Sequence, residues 1–167
     1  MGFILSNNTP GRRNYTIDRL PESDCISINA ELCVGCRTCE LICSLHHEQT
    51  FHLALSRLHV TRNPFTADFQ PEVCRQCLAP ECYIVCPVEG AMYIDEQTGA
   101  RVISIDKCVG CGACARACPW NQKGYIIRAN KERGVYVKCD LCEGDPQCVA
   151  FCPVSALTYV TTRREQE

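Results

Sequence analysis

No stretch of the 167 residues approaches the ~20 consecutive apolar residues a transmembrane helix requires, so no direct membrane insertion is expected. Met1 to Asp24 also lacks the apolar segment and small-residue cleavage site of a secretory signal. Arg12-Arg13 followed by Asn14-Tyr15-Thr16-Ile17 touches the twin-arginine pattern, but Asp18-Arg19-Leu20-Pro21-Glu22 stands where that pattern needs an apolar run. A cytoplasmic location is expected, where disulfides are rare. No basic stripe crosses the chain and its formal charge is -2, which argues against a nucleic-acid partner. Histidine is scarce. His46, His47, His52 and His59 do not follow a histidine-ligand spacing and read as surface or core side chains. The chain is also short for an enzyme that must enclose a substrate.

Cysteine is what the sequence has in excess: 17 residues, about a tenth of the chain, a level found in secreted disulfide scaffolds and in metal proteins. With no secretory signal the metal reading is preferred. Cys108-x2-Cys111-x2-Cys114-x3-Cys118-Pro119 is the ligand run of a bacterial [4Fe-4S] site, with Gly110 and Gly112 permitting the tight backbone that wraps a cube. Cys118 lies one helical turn beyond Cys114 and is free to serve a different cluster. Three further sets follow the same logic: Cys33, Cys36, Cys39 and Cys43; Cys74, Cys77, Cys82 and Cys86; and Cys139, Cys142, Cys148 and Cys152. These sixteen are expected to ligate four [4Fe-4S] clusters. Cys25 is left over and reads as a buried or free thiol. Zinc, which also uses Cys-x2-Cys pairs, is the remote alternative, because cysteine triplets and three Cys-Pro endings suit cubes.

Four thiolates per cluster leave no open iron position for a substrate, so electron transfer is the expected role and no catalytic residue is assigned. Four oxidised cubes would carry the formal charge from -2 to about -10. Arg37, Arg75, Lys107, Arg116 and Lys138 adjoin ligands and are available to offset it, although each reads equally well as solvated.

An internal repeat is visible. Ile26-Ser27-Ile28 before Cys33 echoes Ile103-Ser104-Ile105 before Cys108, and Cys86-Pro87-Val88 through Tyr93 echoes Cys152-Pro153-Val154 through Tyr159. Strands are expected at Ile26 to Ile28 and Leu58 to Arg62. Hairpins are expected from Met92 to Asp95 with Val102 to Ile105, and from Tyr125 to Arg128 with Val135 to Val137.

From about Cys33 to Tyr159 the sequence resembles the four-cluster ferredoxin-like subunits of molybdenum or tungsten oxidoreductases, formate dehydrogenases, hydrogenases and carbon monoxide dehydrogenase. The likeness rests on the four motifs in order, Cys74-Arg75-Gln76-Cys77, Cys118-Pro119-Trp120 and Lys138-Cys139-Asp140-Leu141-Cys142. Cys36-Arg37-Thr38-Cys39-Glu40-Leu41, the small size and the lack of an anchor look most like the small subunit of tungsten aldehyde oxidoreductase. The resemblance implies an α+β, duplicated bacterial-ferredoxin-like fold, with short helices and β-hairpins around four [4Fe-4S] clusters. An outer module (25–43 plus 139–160) would enclose an inner one (74–138), with a connecting insertion at 44–73, an N-terminal extension or tail at 1–24 and a C-terminal tail at 161–167. It implies crosswise ligation: Cys33, Cys36 and Cys39 with Cys152; Cys139, Cys142 and Cys148 with Cys43; Cys74, Cys77 and Cys82 with Cys118; and Cys108, Cys111 and Cys114 with Cys86. The implied role is a wire between a catalytic tungsten or molybdenum subunit and a second redox subunit or carrier, with head-to-tail self-association a further possibility of its two ends. A free polyferredoxin shuttle, or the electron-transfer subunit of a formate dehydrogenase, hydrogenase or carbon monoxide dehydrogenase, is the alternative. Cys43 departs from the pattern, being followed by Ser44 where the other three sets have proline, which is expected to leave an extra N–H and hydroxyl for its cube.

Overall fold

Residues 20–63 and 65–162 are described by the structure, a computed structural model; the expectations placed on residues 1–19 and 163–167 lie outside the described residues. Among the described residues, eight short strands form four antiparallel pairs. β1 (Cys25–Ile28) pairs with β8 (Leu157–Val160), Ile26 opposite Tyr159. β4 (Met92–Ile94) pairs with β5 (Arg101–Ile103), Tyr93 opposite Val102. These two pairings are equivalent in the repeat: a strand entering a cysteine triplet pairs with a strand leaving a Cys-Pro. In one case a tight turn makes the pairing locally, and in the other it joins the first and last described strands.

In the second expected hairpin the first strand begins two residues later, as β6 (Ile127–Asn130), and pairs with β7 (Val135–Lys138), which begins where expected. Asn121 accounts for the shift. Its Oδ1 accepts from the N–H of both Ile126 and Ile127 at 2.9 Å, which holds the chain out of the ladder until Ile127. β2 (His59–Asn63) forms as expected, and its partner is β3 (Asp68–Glu72). Sequence pattern alone does not predict β3, because Pro71 has no ladder donor; in a two-stranded sheet it is accommodated at an open edge, opposite Val60.

Helices carry the third cysteine of each motif: Cys39, Cys82, Cys114 and Cys148. α2 (Glu81–Ile84), α3 (Ala113–Ala117) and α4 (Gln147–Ala150) each stop just before a Cys-Pro, where proline forbids another helical bond. α1 (Thr38–Glu48) has Ser44 at the corresponding place and runs on for 11 residues. α1 packs on α4 and α2 on α3, so helices far apart in the chain are neighbours.

Residues 20–24, expected to belong to the extension, are held against the body. Asp24 is buried, accepts from Tyr159 Oη at 2.6 Å and from Thr162 N at 2.8 Å, and its own N–H donates to the Thr98 carbonyl. Pro21 O accepts from Arg101 Nη2 at 2.8 Å. No helix among the described residues is long and apolar enough to cross a membrane.

Candidate metal centre

The core is built around sulfur. Cys39, Cys43, Cys74, Cys86, Cys114, Cys139 and Cys148 are buried beside Leu58, Val60, Met92, Ile127 and Leu141, and none of the 17 cysteines is in a disulfide. Four small cavities open among them, each lined by four cysteines. The first has Cys33, Cys36, Cys39 and Cys152. The second has Cys43, Cys139, Cys142 and Cys148. In the third are Cys74, Cys77, Cys82 and Cys118, and in the fourth Cys86, Cys108, Cys111 and Cys114. Three cysteines of each set come from one motif, and the fourth is the last cysteine of a distant one. Cys25 is outside all four and lines a separate surface groove with Trp120 and Lys123.

Local backbone explains how one run reaches two cavities. Gly110 (φ +68°) and Gly112 (φ +71°) adopt left-handed conformations, and a Cβ on Gly110 would lie 2.2 Å from the Gly134 carbonyl oxygen, on the β6–β7 turn. The loop therefore folds tightly onto that turn with Cys108 and Cys111 facing the fourth cavity. α3 adds Cys114 to the same cavity, and Cys118, extended at the helix end (φ -73°, ψ 116°), turns to the third.

The donor set fits iron–sulfur clusters. Burial pushes the thiols up to about 12 at Cys82, to about 12 at Cys142 and to about 11 at Cys114; at Cys39, burial with Glu40 behind it also pushes the thiol to about 12. Four such thiols converging on one space need a metal cation among them to ionise. N–H groups point at sulfur: Arg57 N donates to Cys43 Sγ at 3.3 Å and Ala156 N to Cys152 Sγ at 3.2 Å. At the third cavity the cations Arg101 and Lys138 are 1% and 2% exposed. Lys138 Nζ donates to the Arg101 and Cys139 carbonyls and to Gln76 Oε1, while its charge faces Cys74 and Cys82. Burial opposes that charge, and attraction to the sulfurs of Cys74, Cys82 and Cys139 outweighs it, leaving the Lys138 pKa raised. Arg101 Nε is buried without a hydrogen-bond partner. An anionic cluster is the charge such a lining accommodates.

The other basic residues named from the sequence divide. Arg37 is paired with buried Glu40, whose carboxylate also lies 2.9 Å from His59 Nδ1. Arg75 stacks on Trp120, 3.6 Å from the ring centroid. Lys107 and Arg116 are exposed, and Arg116 Nη1 donates to the Cys111 carbonyl at 3.1 Å.

Sequence reasoning missed several lining residues. His47 lines the second cavity with Nε2 3.7 Å from Cys142 Sγ and 3.5 Å from Asp140 Oδ1, and burial, reinforced by Arg57, lowers its pKa to about 4, so the ring is neutral at pH 7. Arg57 is paired with Asp140 there. Spacing has no signal for these, because histidine and arginine act here beside ligands and in place of none. The expectation for Ser44 is corrected. Its hydroxyl donates to Leu41 O at 2.9 Å and accepts from His52 N at 3.0 Å, so it is committed within α1 and the following loop, and the N–H that reaches Cys43 sulfur is that of Arg57.

Comparison with known proteins agrees with this chemistry. Residues 65–162 match the family model described as a 4Fe-4S dicluster domain, and residues 30–45 one described as a 4Fe-4S binding domain. The chain is similar to the aliphatic sulfonate oxidoreductase polyferredoxin-like subunit of Pyrococcus furiosus, 42% identical over 76% of this chain and 70% of the relative. It is 34% identical to the electron transport protein HydN of Escherichia coli, over 85% of this chain and 90% of that one. A solved structure of the active site complex BamBC of benzoyl coenzyme A reductase matches 86% of this chain and 82% of its own, at 28% identity and a TM-score of 0.49.

Proposed function

The chain belongs to the 4Fe-4S dicluster domain family, and from that premise we propose that its sixteen motif cysteines hold four [4Fe-4S] clusters crosswise, in an outer (25–43 plus 139–160) and an inner (74–138) ferredoxin-like module, and that the protein is the electron wire of an oxidoreductase complex. The single observation that carries this reading is the presence of four cysteines, and four only, on each of four cavities, in the sets Cys33/Cys36/Cys39/Cys152, Cys43/Cys139/Cys142/Cys148, Cys74/Cys77/Cys82/Cys118 and Cys86/Cys108/Cys111/Cys114.

When bound, each cluster supplies a reversible one-electron centre with no open position for substrate. The chain's own residues do the rest. Thiols of neighbouring cavities are close enough to feel one another: Cys148 and Cys39 across the first and second, Cys139 and Cys74 across the second and third, Cys82 and Cys114 across the third and fourth. These proximities support an arrangement of the cavities in series. The two ends of the series reach the surface, since Cys36 of the first and Cys111 of the fourth are exposed. The relatives named as oxidoreductase and electron-transport subunits support a non-catalytic role beside a catalytic partner. A tungsten or molybdenum aldehyde oxidoreductase is the partner we infer from the Cys36-to-Leu41 stretch, with the second end given to a further redox subunit or carrier.

Metal and sulfide analysis of anoxically purified protein tests the reading. About sixteen irons with equal sulfide per chain are expected. Zinc without sulfide would overturn it. Subunits that co-purify under the same conditions identify the partner, and a monomer free of any oxidoreductase subunit would favour the shuttle.

A further inference from the structure

The four cavities differ sharply in the charge that lines them. The fourth has no charged side chain among its lining residues. In the first, Arg37 is tied to Glu40, and in the second, Arg57 is tied to Asp140. The third is lined by Arg75, Arg101 and Lys138 and by no carboxylate. Arg101 and Lys138 are almost wholly buried, so water and salt screen them little.

Their position is fixed from both sides. Gln76 Nε2 donates to Cys139 O at 2.9 Å, and Gln76 Oε1 accepts from Arg101 N at 2.9 Å and from Lys138 Nζ at 3.4 Å. The oxygens that accept from Lys138 Nζ, those of Gln76, Arg101 and Cys139, are all neutral. The Arg101 guanidinium likewise donates to the neutral Gly99 and Pro21 carbonyls, at 2.8 Å each. Neutral oxygens orient the two cations and leave their charge uncancelled. Lys138 directly precedes Cys139, a lining residue of the second cavity, so the pair stands at the junction of the two central cavities.

On the four-cluster reading above, we propose that Lys138 and Arg101 are positioning residues that give the Cys74/Cys77/Cys82/Cys118 site the highest reduction potential of the four, making it the place in the series where an electron comes to rest. The physical reason is direct. Reduction adds one negative charge to a site already anionic, and fixed buried cations favour the more negative state. The step is a single electron moving from a neighbouring reduced centre, which is oxidised by one, to this one, which is reduced by one; no bond forms or breaks. Holding the electron inside the protein keeps it away from the exposed ends until a partner is docked at one of them.

The test is a potentiometric titration of the full-length, cluster-loaded protein followed by electron paramagnetic resonance. The transition altered by Cys118→Ser marks the third site and is expected to be the highest of the set. Lys138→Gln and Arg101→Gln should each lower that transition by at least tenfold in its one-electron equilibrium, which is about 59 mV. The shift should persist at 1 M salt. Lys138→Arg should leave it within about threefold, and exposed Lys131→Gln, which lines none of the four cavities, should move no transition. Unmoved midpoints in the two glutamine variants at full iron content overturn the proposal, as does a shift in a transition other than the one marked by Cys118→Ser. If Lys138→Gln sheds iron, Arg101→Gln and Lys138→Arg decide: a lowered midpoint in the neutral variant alone supports the charge mechanism, and equal shifts in both overturn it. Failure of the four-cluster reading is seen earlier and separately, as parent protein lacking sulfide.

Discussion

Replacing Cys118 with alanine should remove a cluster from the cysteines of another motif and leave that of its own motif in place. α3 directs Cys114 to the cavity of Cys86, Cys108 and Cys111, while Cys118 faces Cys74, Cys77 and Cys82. Iron is therefore expected to fall from about 16 to about 12 per chain. Double variants make the assignment strict. Cys118→Ala with Cys77→Ala should still lose about four irons, because both cysteines serve one site; Cys118→Ala with Cys111→Ala should lose about eight. The energetic consequence is unequal too. Loss of the third-site cluster strips the counter-charge from buried Lys138 and Arg101, and breaking a buried charge pairing costs about 3–5 kcal/mol. Loss of the fourth-site cluster uncovers no charged side chain. For a chain of this size each kcal/mol moves the melting temperature by roughly 2–4 °C, so Cys118→Ala should melt at least about 6 °C below Cys111→Ala. Iron and sulfide analysis with anoxic thermal melts followed by circular dichroism measures both. Eight irons lost from the Cys118/Cys77 pair and four from the Cys118/Cys111 pair would refute the crosswise reasoning, and equal melting temperatures would refute the charge argument.

Three further outcomes are expected. Gly110→Ala should destabilise the protein by at least about 1–2 kcal/mol through its left-handed backbone alone, with the Gly134 carbonyl contact adding to it, and a lowered unfolding midpoint checks this. Ser44→Pro should break α1 and cost about 3 kcal/mol or more, because the residue lies inside an 11-residue helix; a variant as helical and stable as the parent would show that α1 ends at Cys43 like its counterparts. Burial first, and then the hydrogen bond to Asp24, raise the pKa of Tyr159. A group raised in the folded state stabilises fully while the unfolded phenol is protonated, below about pH 10, and loses that contribution as pH rises beyond it. Tyr159→Phe should therefore flatten the alkaline limb of the stability profile, and an unchanged limb would contradict the role of the Asp24 contact.

The sequence is unevenly legible, for physical reasons. Ligand spacing depends on short loops, so the four cysteine sets are readable directly, and the hairpin at Met92 to Ile103 follows from local alternation and a tight turn. Pro71 hides β3, and the side chain of Asn121, which no periodicity registers, hides the start of β6. At Ser44 the missing proline suggests a donor to the neighbouring cube; without proline the helix simply continues and buries the hydroxyl in its own bonds.

By itself the sequence determined the chemistry. Cysteine runs at cluster spacing, with three prolines closing the short helices, point to iron–sulfur chemistry, and the sixteen ligands are the reading we propose for them. The tertiary structure decided which cysteines share a cavity and what charge each cavity feels. Both depend on contacts between residues far apart in the chain: β1 on β8, α1 on α4, α2 on α3, and Gln76 holding Lys138 and Arg101 at one site. Lys138 and Arg116 look alike in sequence, each a cation beside a motif. Only burial separates them, because a charge in water is screened over roughly 10 Å and a charge in the core is screened far less.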